Sequence, residues 1–106
     1  MIRIIKHKFN AVMTTYKGIK FRSKFEADYY KQDELRQAAG ELIFFFHQVP
    51  IRLPGGVKYV IDFMEFLADG TVEFIDTKGY ETPQFKDKKK IVEALYPFEI
   101  KLVKRK

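Results

Sequence analysis

The chain has 106 residues, of which 46% are hydrophobic and 16% aromatic, and this composition predicts one folded domain over residues 1–106 rather than a disordered tail. It contains no cysteine, which excludes disulfides and thiolate metal sites. The apolar runs are too short to span a bilayer and no signal-peptide pattern is found, so we expect no membrane partner and a cytoplasmic location.

The net charge of +6 is unevenly distributed along the chain. Residues 1–24 hold seven basic and no acidic side chains, and residues 86–106 hold eight basic against three acidic. Residues 25–85 reverse the balance, with eleven acidic against five basic. Basic ends are typical of contact with a polyanion such as nucleic acid, although a solvated basic surface gives the same pattern. An acidic centre is typical of a metal site.

The first 22 residues predict a basic N-terminal arm or short strands, with phosphate contacts or a frayed terminus as the two interpretations. A helix follows, because Ser23 and Glu26 have the spacing of a capping box, and Gly40 is a typical stop. Glu26 either caps its own helix or reaches a metal site. The predicted inner stripe of this helix contains Phe25, Tyr29, Gln32, Leu35, Arg36 and Ala39.

Residues 42–49 form a continuous apolar run that predicts a strand buried on both faces. Pro50 and Pro54 follow, so residues 51–53 predict at most a short edge strand. His47 is a lone histidine in the apolar run, where a structural role is commoner than metal ligation.

The stretch from Tyr59 to Gly79 predicts a β-hairpin, because two apolar runs flank Ala68-Asp69-Gly70. Asp62, Asp76 and Lys78 lie inside these runs, where β-propensity gives no reason for a charge. A three-residue loop places Asp62 directly opposite Asp76, whereas a two-residue loop offsets them, and the sequence leaves this open.

Two opposed carboxylates repel each other unless a cation lies between them. Oxygen ligands without histidine or cysteine favour Mg²⁺, with Mn²⁺ as a substitute. Lys78 shares a strand face with Asp76, where it can stabilise charge on a phosphate or orient an attacking water. Regular alternation points Thr77 and Glu73 away from this face. A structural Asp–Lys pair is the alternative.

A second helix is predicted from Pro83 to Leu95, with Thr82 before its first position. Its inner residues are predicted to be Phe85, Ile91, Val92 and Leu95. Its lysines give either a phosphate-binding face or a solvated one. Residues 98–103 alternate like a final strand. The order α-β-β-β-α-β predicts an α/β fold with one mixed sheet flanked by helices.

This arrangement of Asp62, Asp76-Thr77-Lys78 and an upstream helix with Glu26 resembles the PD-(D/E)XK nuclease superfamily. Within it the chain is similar to phage and archaeal Holliday junction resolvases, and the opening Gly18–Glu26 is similar to that of short phage proteins. The chain departs from the pattern at Ile61, where the signature has proline, and at Asp76, where resolvases more often have glutamate.

The resemblance implies a restriction-endonuclease-like core and a magnesium-dependent endonuclease, with a homodimer nicking both strands of branched DNA. Phage resemblance implies a bacterial host cell as the location. The expected catalytic residues are Glu26, Asp62, Asp76 and Lys78, with the three acids at the metal. The expected DNA-binding residues are Lys20, Arg22, Lys24, Lys86, Lys89 and Lys90.

Two alternatives remain open from the sequence. The same chemistry suits other DNA, such as flaps, forks or linear duplex. A non-catalytic phage DNA-binding accessory protein, in which the acids are structural, also fits the basic ends.

Overall fold

The computed structural model describes residues 13–78 and 81–104. Residues 1–12 of the predicted N-terminal arm and Gly79 lie outside this part. The elements are β1 (Thr14–Tyr16), β2 (Ile19–Phe21), α1 (Lys24–Ala38), β3 (Leu42–Arg52), β4 (Lys58–Leu67), β5 (Val72–Lys78), α2 (Pro83–Leu95) and β6 (Ile100–Lys104). Within the described residues, none of the helices has the length and apolar character needed to cross a membrane.

The main sheet has four strands in the order β3-β4-β5-β6. The first three strands are antiparallel, and β6 pairs in parallel with β5. A parallel neighbour needs a crossover, and α2 supplies it. The prediction of an α/β fold with a mixed sheet and two helices is therefore confirmed. Before α1, the strands β1 and β2 form a separate two-stranded hairpin.

Both ends of α1 are fixed by the residues that the sequence singled out. The Ser23 hydroxyl accepts a hydrogen bond from the Glu26 N–H at 3.1 Å, which makes Ser23 the N-cap. At the other end Gly40 has a φ of 82°, and the Glu41 N–H donates to the Arg36 carbonyl. This is the Schellman termination, which needs a residue in the left-handed region after the cap.

The inner face of α1 is more polar than the sequence predicts. Its buried residues are Glu26, Ala27 and Asp33, whereas Gln32, Leu35 and Ala39 of the predicted stripe are exposed. Tyr29 and Tyr30 both pack near Phe63 of β4. The predicted stripe was wrong at these three positions, and Asp33, which it did not include, is buried beside Arg36.

The predicted double burial of residues 42–49 was also wrong. In the described part of the sheet β3 is an edge strand, and it continues through Pro50 to Arg52. Proline is tolerated there because an edge strand needs only one row of hydrogen bonds. Phe44 and Phe46 are exposed, and their rings contact each other with the ring centroids 4.8 Å apart.

The hairpin of β4 and β5 has the register of a three-residue loop. Phe63 pairs with Ile75, and the Leu67 N–H donates to the Thr71 carbonyl at 2.9 Å. Asp69 closes the loop, since one of its carboxylate oxygens accepts from the N–H and the hydroxyl of Thr71. The hydrogen bonds of Asp69 therefore stabilise the three-residue loop, one of the two loop lengths that the sequence left open.

α2 begins and ends at the predicted residues, and Thr82 is its N-cap. Phe85 and Val92 are buried against Tyr59, Ile61 and Ile100. Ile91 and Leu95, which were predicted to face inward, are exposed. The helix therefore contributes two core side chains rather than four.

A buried group of charges joins α1 to the sheet. Arg36 donates to Asp33 at 3.2 Å and to Glu65 of β4 at 3.1 Å, and it also pairs with Glu41. The Tyr29 hydroxyl donates to the second oxygen of Glu65 at 2.9 Å. Within the described residues the Asp33 Oδ2 atom has no hydrogen-bond partner. Two buried carboxyls thus share one arginine.

Burial, together with the adjacent Glu65, raises the pKa of Asp33 to about 8. The folded protein therefore keeps a proton on Asp33 that the unfolded chain releases above about pH 4. The unfolded state binds fewer protons in this range, so this group lowers the free energy of unfolding as pH rises from about 4 to about 8.

We expect Asp33→Asn to be more stable than the wild type at pH 8, by about 1–3 kcal/mol, because the amide removes a buried charge beside Glu65. Urea unfolding at several pH values measures this difference. The wild-type stability should decline toward pH 8 more steeply than that of the variant. Asp28→Asn, the same change on the same helix, is the control and should keep the wild-type slope. Parallel profiles for wild type and Asp33→Asn would contradict the assignment.

Candidate metal centre

Three carboxylates predicted from the sequence come from three different elements and are all buried. Glu26 lies in the first turn of α1, Asp62 in β4 and Asp76 in β5. Their exposed fractions are 2%, 1% and 1%. Buried carboxylates are costly unless hydrogen-bond donors or cations satisfy them. The donors around each one therefore define the chemistry of this centre.

Asp62 and Asp76 meet where the regular pairing of β4 and β5 ends. The last paired residues are Phe63 and Ile75, so the same register brings Asp62 opposite Asp76. The Asp62 N–H donates to Oδ1 of Asp76 at 3.0 Å, and the Thr77 N–H donates to Oδ2 of Asp62 at 2.9 Å. Side-chain carboxylates thus accept from both backbone N–H groups beyond the last pair of the ladder.

Two hydroxyl groups also donate to these aspartates. The Thr77 hydroxyl donates to Oδ2 of Asp62 at 2.9 Å, and the Tyr59 hydroxyl donates to Oδ2 of Asp76. The prediction that Thr77 points away was wrong. Strict alternation assumes a continuous ladder, and the ladder ends just before this residue.

The two carboxylate oxygens of Glu26 have different partners. One carboxylate oxygen, Oε1, accepts from the Arg22 N–H at 3.2 Å, just outside the helix. The other, Oε2, accepts from the Gln48 amide at 2.6 Å and lies 3.2 Å from Nε2 of His47. Oε1 thus bonds to the backbone just before the N-cap Ser23, while Oε2 faces His47 and Gln48 of β3.

Two side chains connect Glu26 with Asp62. The Arg22 guanidinium donates to Oδ1 of Asp62 at 2.6 Å, and its Nε lies 4.0 Å from Oε1 of Glu26. The Gln48 amide nitrogen also lies 3.4 Å from Oδ1 of Asp62. Gln48 has a φ of 61°, which is uncommon for a residue with a side chain and costs backbone energy.

The three carboxyls have different proton affinities. Burial alone would raise the pKa of Glu26, but the hydrogen bond with His47 and the charge of Arg22 outweigh it and lower the pKa. Burial raises the pKa of Asp62, and the nearby Glu26 carboxylate raises it further against the effect of Arg22. Burial also raises the pKa of Asp76, opposed by the Asp62 N–H and by Lys78.

Lys78, at the end of β5, is close enough to influence both aspartates electrostatically. Its ammonium group lies 4.6 Å from the centroid of the Phe85 ring in α2. A cation over an aromatic face is attracted by the ring quadrupole. The first turn of α2 thus helps to hold Lys78 beside the carboxylates.

The possible ligand atoms suit a hard divalent cation chemically, since they are carboxylate oxygens without a thiolate. Their positions, however, are not those of a ready metal site. Across residues 13–78 and 81–104, no three Asp, Glu or His side chains are placed to hold a metal ion together. The oxygens of Asp62 and Glu26 accept from protein N–H and O–H groups, so a cation has to displace some of these donors.

The predicted DNA-binding side chains lie on two segments, the junction of β2 with α1 and the helix α2. Lys20, Arg22 and Lys24 are exposed around the junction of β2 and α1. On α2, Lys86 and Lys90 are exposed, whereas Lys89 is half-buried and paired with Glu93 at 3.2 Å. Of these residues, Arg22 contacts a carboxylate of the centre directly.

Sequence reasoning missed four contributors. Gln48 carries no motif that marks it, and Tyr59 resembles any strand aromatic. His47 was interpreted as a structural histidine, and its ring does pack among Phe21 and Phe63 while one nitrogen faces Glu26. Thr77 was excluded by alternation. Only the end of the strand ladder, a tertiary feature, identifies Thr77.

Residues 6–105 match the model of a family described as "Protein of unknown function (DUF1064)". The chain belongs to this family. The match spans nearly the whole sequence and includes α1, both strands of the central hairpin and α2. No curated protein and no solved structure matches the chain. Membership in the DUF1064 family therefore names no activity, and the site itself has to carry the functional argument.

We expect Thr77→Val to lower the free energy of unfolding by about 1–3 kcal/mol, because it removes a buried hydrogen bond to a carboxylate at nearly constant volume. Thermal or urea unfolding measures this loss. Thr77→Ser keeps the hydroxyl and should recover most of the stability. Equal stability of the wild type and Thr77→Val would indicate that this hydroxyl does not support Asp62.

Proposed function

We propose that this protein is a metal-dependent, structure-specific DNA endonuclease with a restriction-endonuclease-like core. Its proposed substrate is a Holliday junction, cut by paired nicking with Mg²⁺, for which Mn²⁺ substitutes. The observation that supports this best is the meeting of Glu26, Asp62 and Asp76 in one buried centre beside Lys78. Burying three carboxylates together is costly, and a cation is one way to offset that cost.

In this proposal Asp62 and Asp76 hold the cation, and Glu26 assists from α1. A divalent cation at such a site stabilises the charge that develops on a phosphodiester during hydrolysis. Lys78 binds a phosphate oxygen or orients the attacking water, and the Phe85 ring helps to keep its ammonium group in place. Tyr59 and Thr77 orient the two aspartates through their hydroxyls.

The DNA contacts are proposed for the exposed basic residues on both sides of the centre. Lys20 and Lys24 flank Arg22 near the start of α1, and Lys86 and Lys90 lie on α2. Contacts of this type go to phosphates, so they fix the position of the DNA without reading its sequence.

The homodimer belongs to the same proposal, because paired nicking needs two centres. An apolar surface available for a second copy lies on β3, β4 and β5, where Phe44 pairs with Phe66 and Phe66 pairs with Val72. Phe44, Phe46 and Val72 are exposed, and contiguous apolar patches often mark interfaces. A monomer in analytical ultracentrifugation at concentrations that cleave junctions would contradict this part.

A second candidate is the non-catalytic DNA-binding accessory protein. The observation in its favour is that Arg22, Gln48 and Thr77 already satisfy the oxygens of Asp62 and Glu26. This candidate predicts DNA binding without cleavage and no rise in melting temperature with Mg²⁺.

Flaps, forks and linear duplex are the alternative substrates for the nuclease, and a parallel assay with a four-way junction distinguishes them.

We expect Asp76→Asn to reduce junction cleavage by at least about 10²–10³-fold while junction binding remains, because the amide cannot balance the charge of a cation. Lys78→Ala should reduce cleavage similarly. Cleavage of a labelled four-way junction on a denaturing gel, with binding measured separately, tests both. Asp69→Asn, a turn aspartate outside the centre, is the control. Cleavage by Asp76→Asn at the wild-type rate would exclude the proposed site.

We expect Lys86→Ala with Lys90→Ala to weaken binding to all DNA substrates alike, because both side chains are exposed cations that would meet phosphates. The slope of log affinity against log salt should fall by about 1 for each lost contact. Fluorescence anisotropy over a salt series measures it. Lys101→Ala removes an exposed lysine that pairs with Glu73, and should leave the slope unchanged. An unchanged slope in the double variant would remove α2 from the DNA interface.

A further inference from the structure

Arg22 occupies an unusual position for a residue expected at a DNA surface. Its side chain is 60% exposed, yet its guanidinium lies 2.6 Å from a carboxylate that is 1% exposed. It follows β2 and precedes Ser23, the N-cap of α1. Most of the side chain is therefore exposed, although one guanidinium nitrogen bonds to a buried carboxylate.

The guanidinium lies where two acidic side chains from different elements approach each other. It donates to Oδ1 of Asp62, and its Nε is 4.0 Å from Oε1 of Glu26. The Gln48 amide approaches the other side of the same pair, at 2.6 Å from Glu26 and 3.4 Å from Asp62. Arg22 thus balances charge that the proposed function assigns to a divalent cation.

We infer that Arg22 is a positioning residue whose guanidinium blocks cation binding at Asp62 until the guanidinium moves to a DNA phosphate. This inference rests on the proposed function and adds an order to it: phosphate binding at the surface favours cation binding in the centre. Cation and Arg22 compete for Asp62, whereas phosphate and Asp62 compete for Arg22.

The chemistry of the side chain suits this exchange. A guanidinium forms strong, charge-assisted hydrogen bonds with carboxylates and with phosphates alike. Because 60% of the side chain is exposed, a ligand at the surface can reach Arg22. Because binding free energies are reciprocal, a cation in the centre must strengthen phosphate binding by the same factor.

The first experiment measures Mn²⁺ binding without DNA, by electron paramagnetic resonance of free Mn²⁺. We expect Arg22→Gln to bind Mn²⁺ about tenfold or more tightly than the wild type, since one charge-assisted competitor is lost. Lys31→Gln is the matched control, because it removes the same charge from α1, where the ammonium lies over the Tyr16 ring. It should bind like the wild type. Affinity in Arg22→Gln that equals or falls below the wild-type value would overturn the inference.

The second experiment measures the coupling itself. A Lys78→Ala background keeps the DNA intact, and Mn²⁺ affinity is compared with and without a four-way junction. We expect the junction to raise Mn²⁺ affinity more in this background than in the same background with Arg22→Gln. Equal enhancement in both would show that Arg22 carries no coupling. Arg22→Lys keeps the charge but not the planar fork, so it should lie between the two and provides a second variant if Arg22→Gln folds poorly.

A third variant separates this inference from the proposed function. Adding Asp62→Asn to Arg22→Gln should abolish the gain in Mn²⁺ affinity. If the gain persists, Mn²⁺ binds elsewhere and the proposed metal centre fails. If the gain is absent in Arg22→Gln although Asp62→Asn still weakens Mn²⁺ binding, the centre stands and only the role of Arg22 fails.

Discussion

The fold depends on how carboxylates are satisfied inside a domain of 106 residues. At the end of the β4–β5 ladder, Asp76 accepts from the Asp62 backbone, and Asp62 accepts from the Thr77 backbone. The Thr77 N–H therefore keeps an acceptor beyond the last pair of the ladder. The same bonds fix both carboxylates in position. The separation of the strands and the acidic centre are therefore one structural feature.

α1 depends on the same principle at both ends of its inner face. Glu26 is held at the first turn by Arg22 and Gln48, and two turns later Asp33 shares Arg36 with Glu65. Apolar contacts, such as those of Tyr30 with Phe45 and Phe63, fill the space between. Hydrogen bonds between these polar side chains require set distances, so they fix the position of α1 on the sheet more specifically than an apolar stripe would.

Much of this architecture follows from local sequence signals. Ser23, Gly40 and Thr82 mark helix boundaries, and the aspartates inside apolar strands mark the centre. The hydrophobic pattern gave wrong predictions where burial depends on neighbouring elements. It predicted a strand buried on both faces, but β3 is an edge in the described sheet, and it placed Leu35 inside, but Leu35 is exposed. Gln48 and the hydroxyl of Thr77 were beyond sequence reasoning, because their roles arise from a left-handed backbone residue and from the end of a ladder.

The acidic centre also has a consequence for the order of assembly. Arg22 and Asp62 are separated by 40 residues in the sequence, and Gln48 and Glu26 by 22. Contacts of such long separation cost more loop-closure entropy than local contacts do. Amide hydrogen exchange at Asp62 and Thr77, whose N–H groups bond to side chains rather than to the ladder, then reports opening of the centre separately from opening of the whole domain.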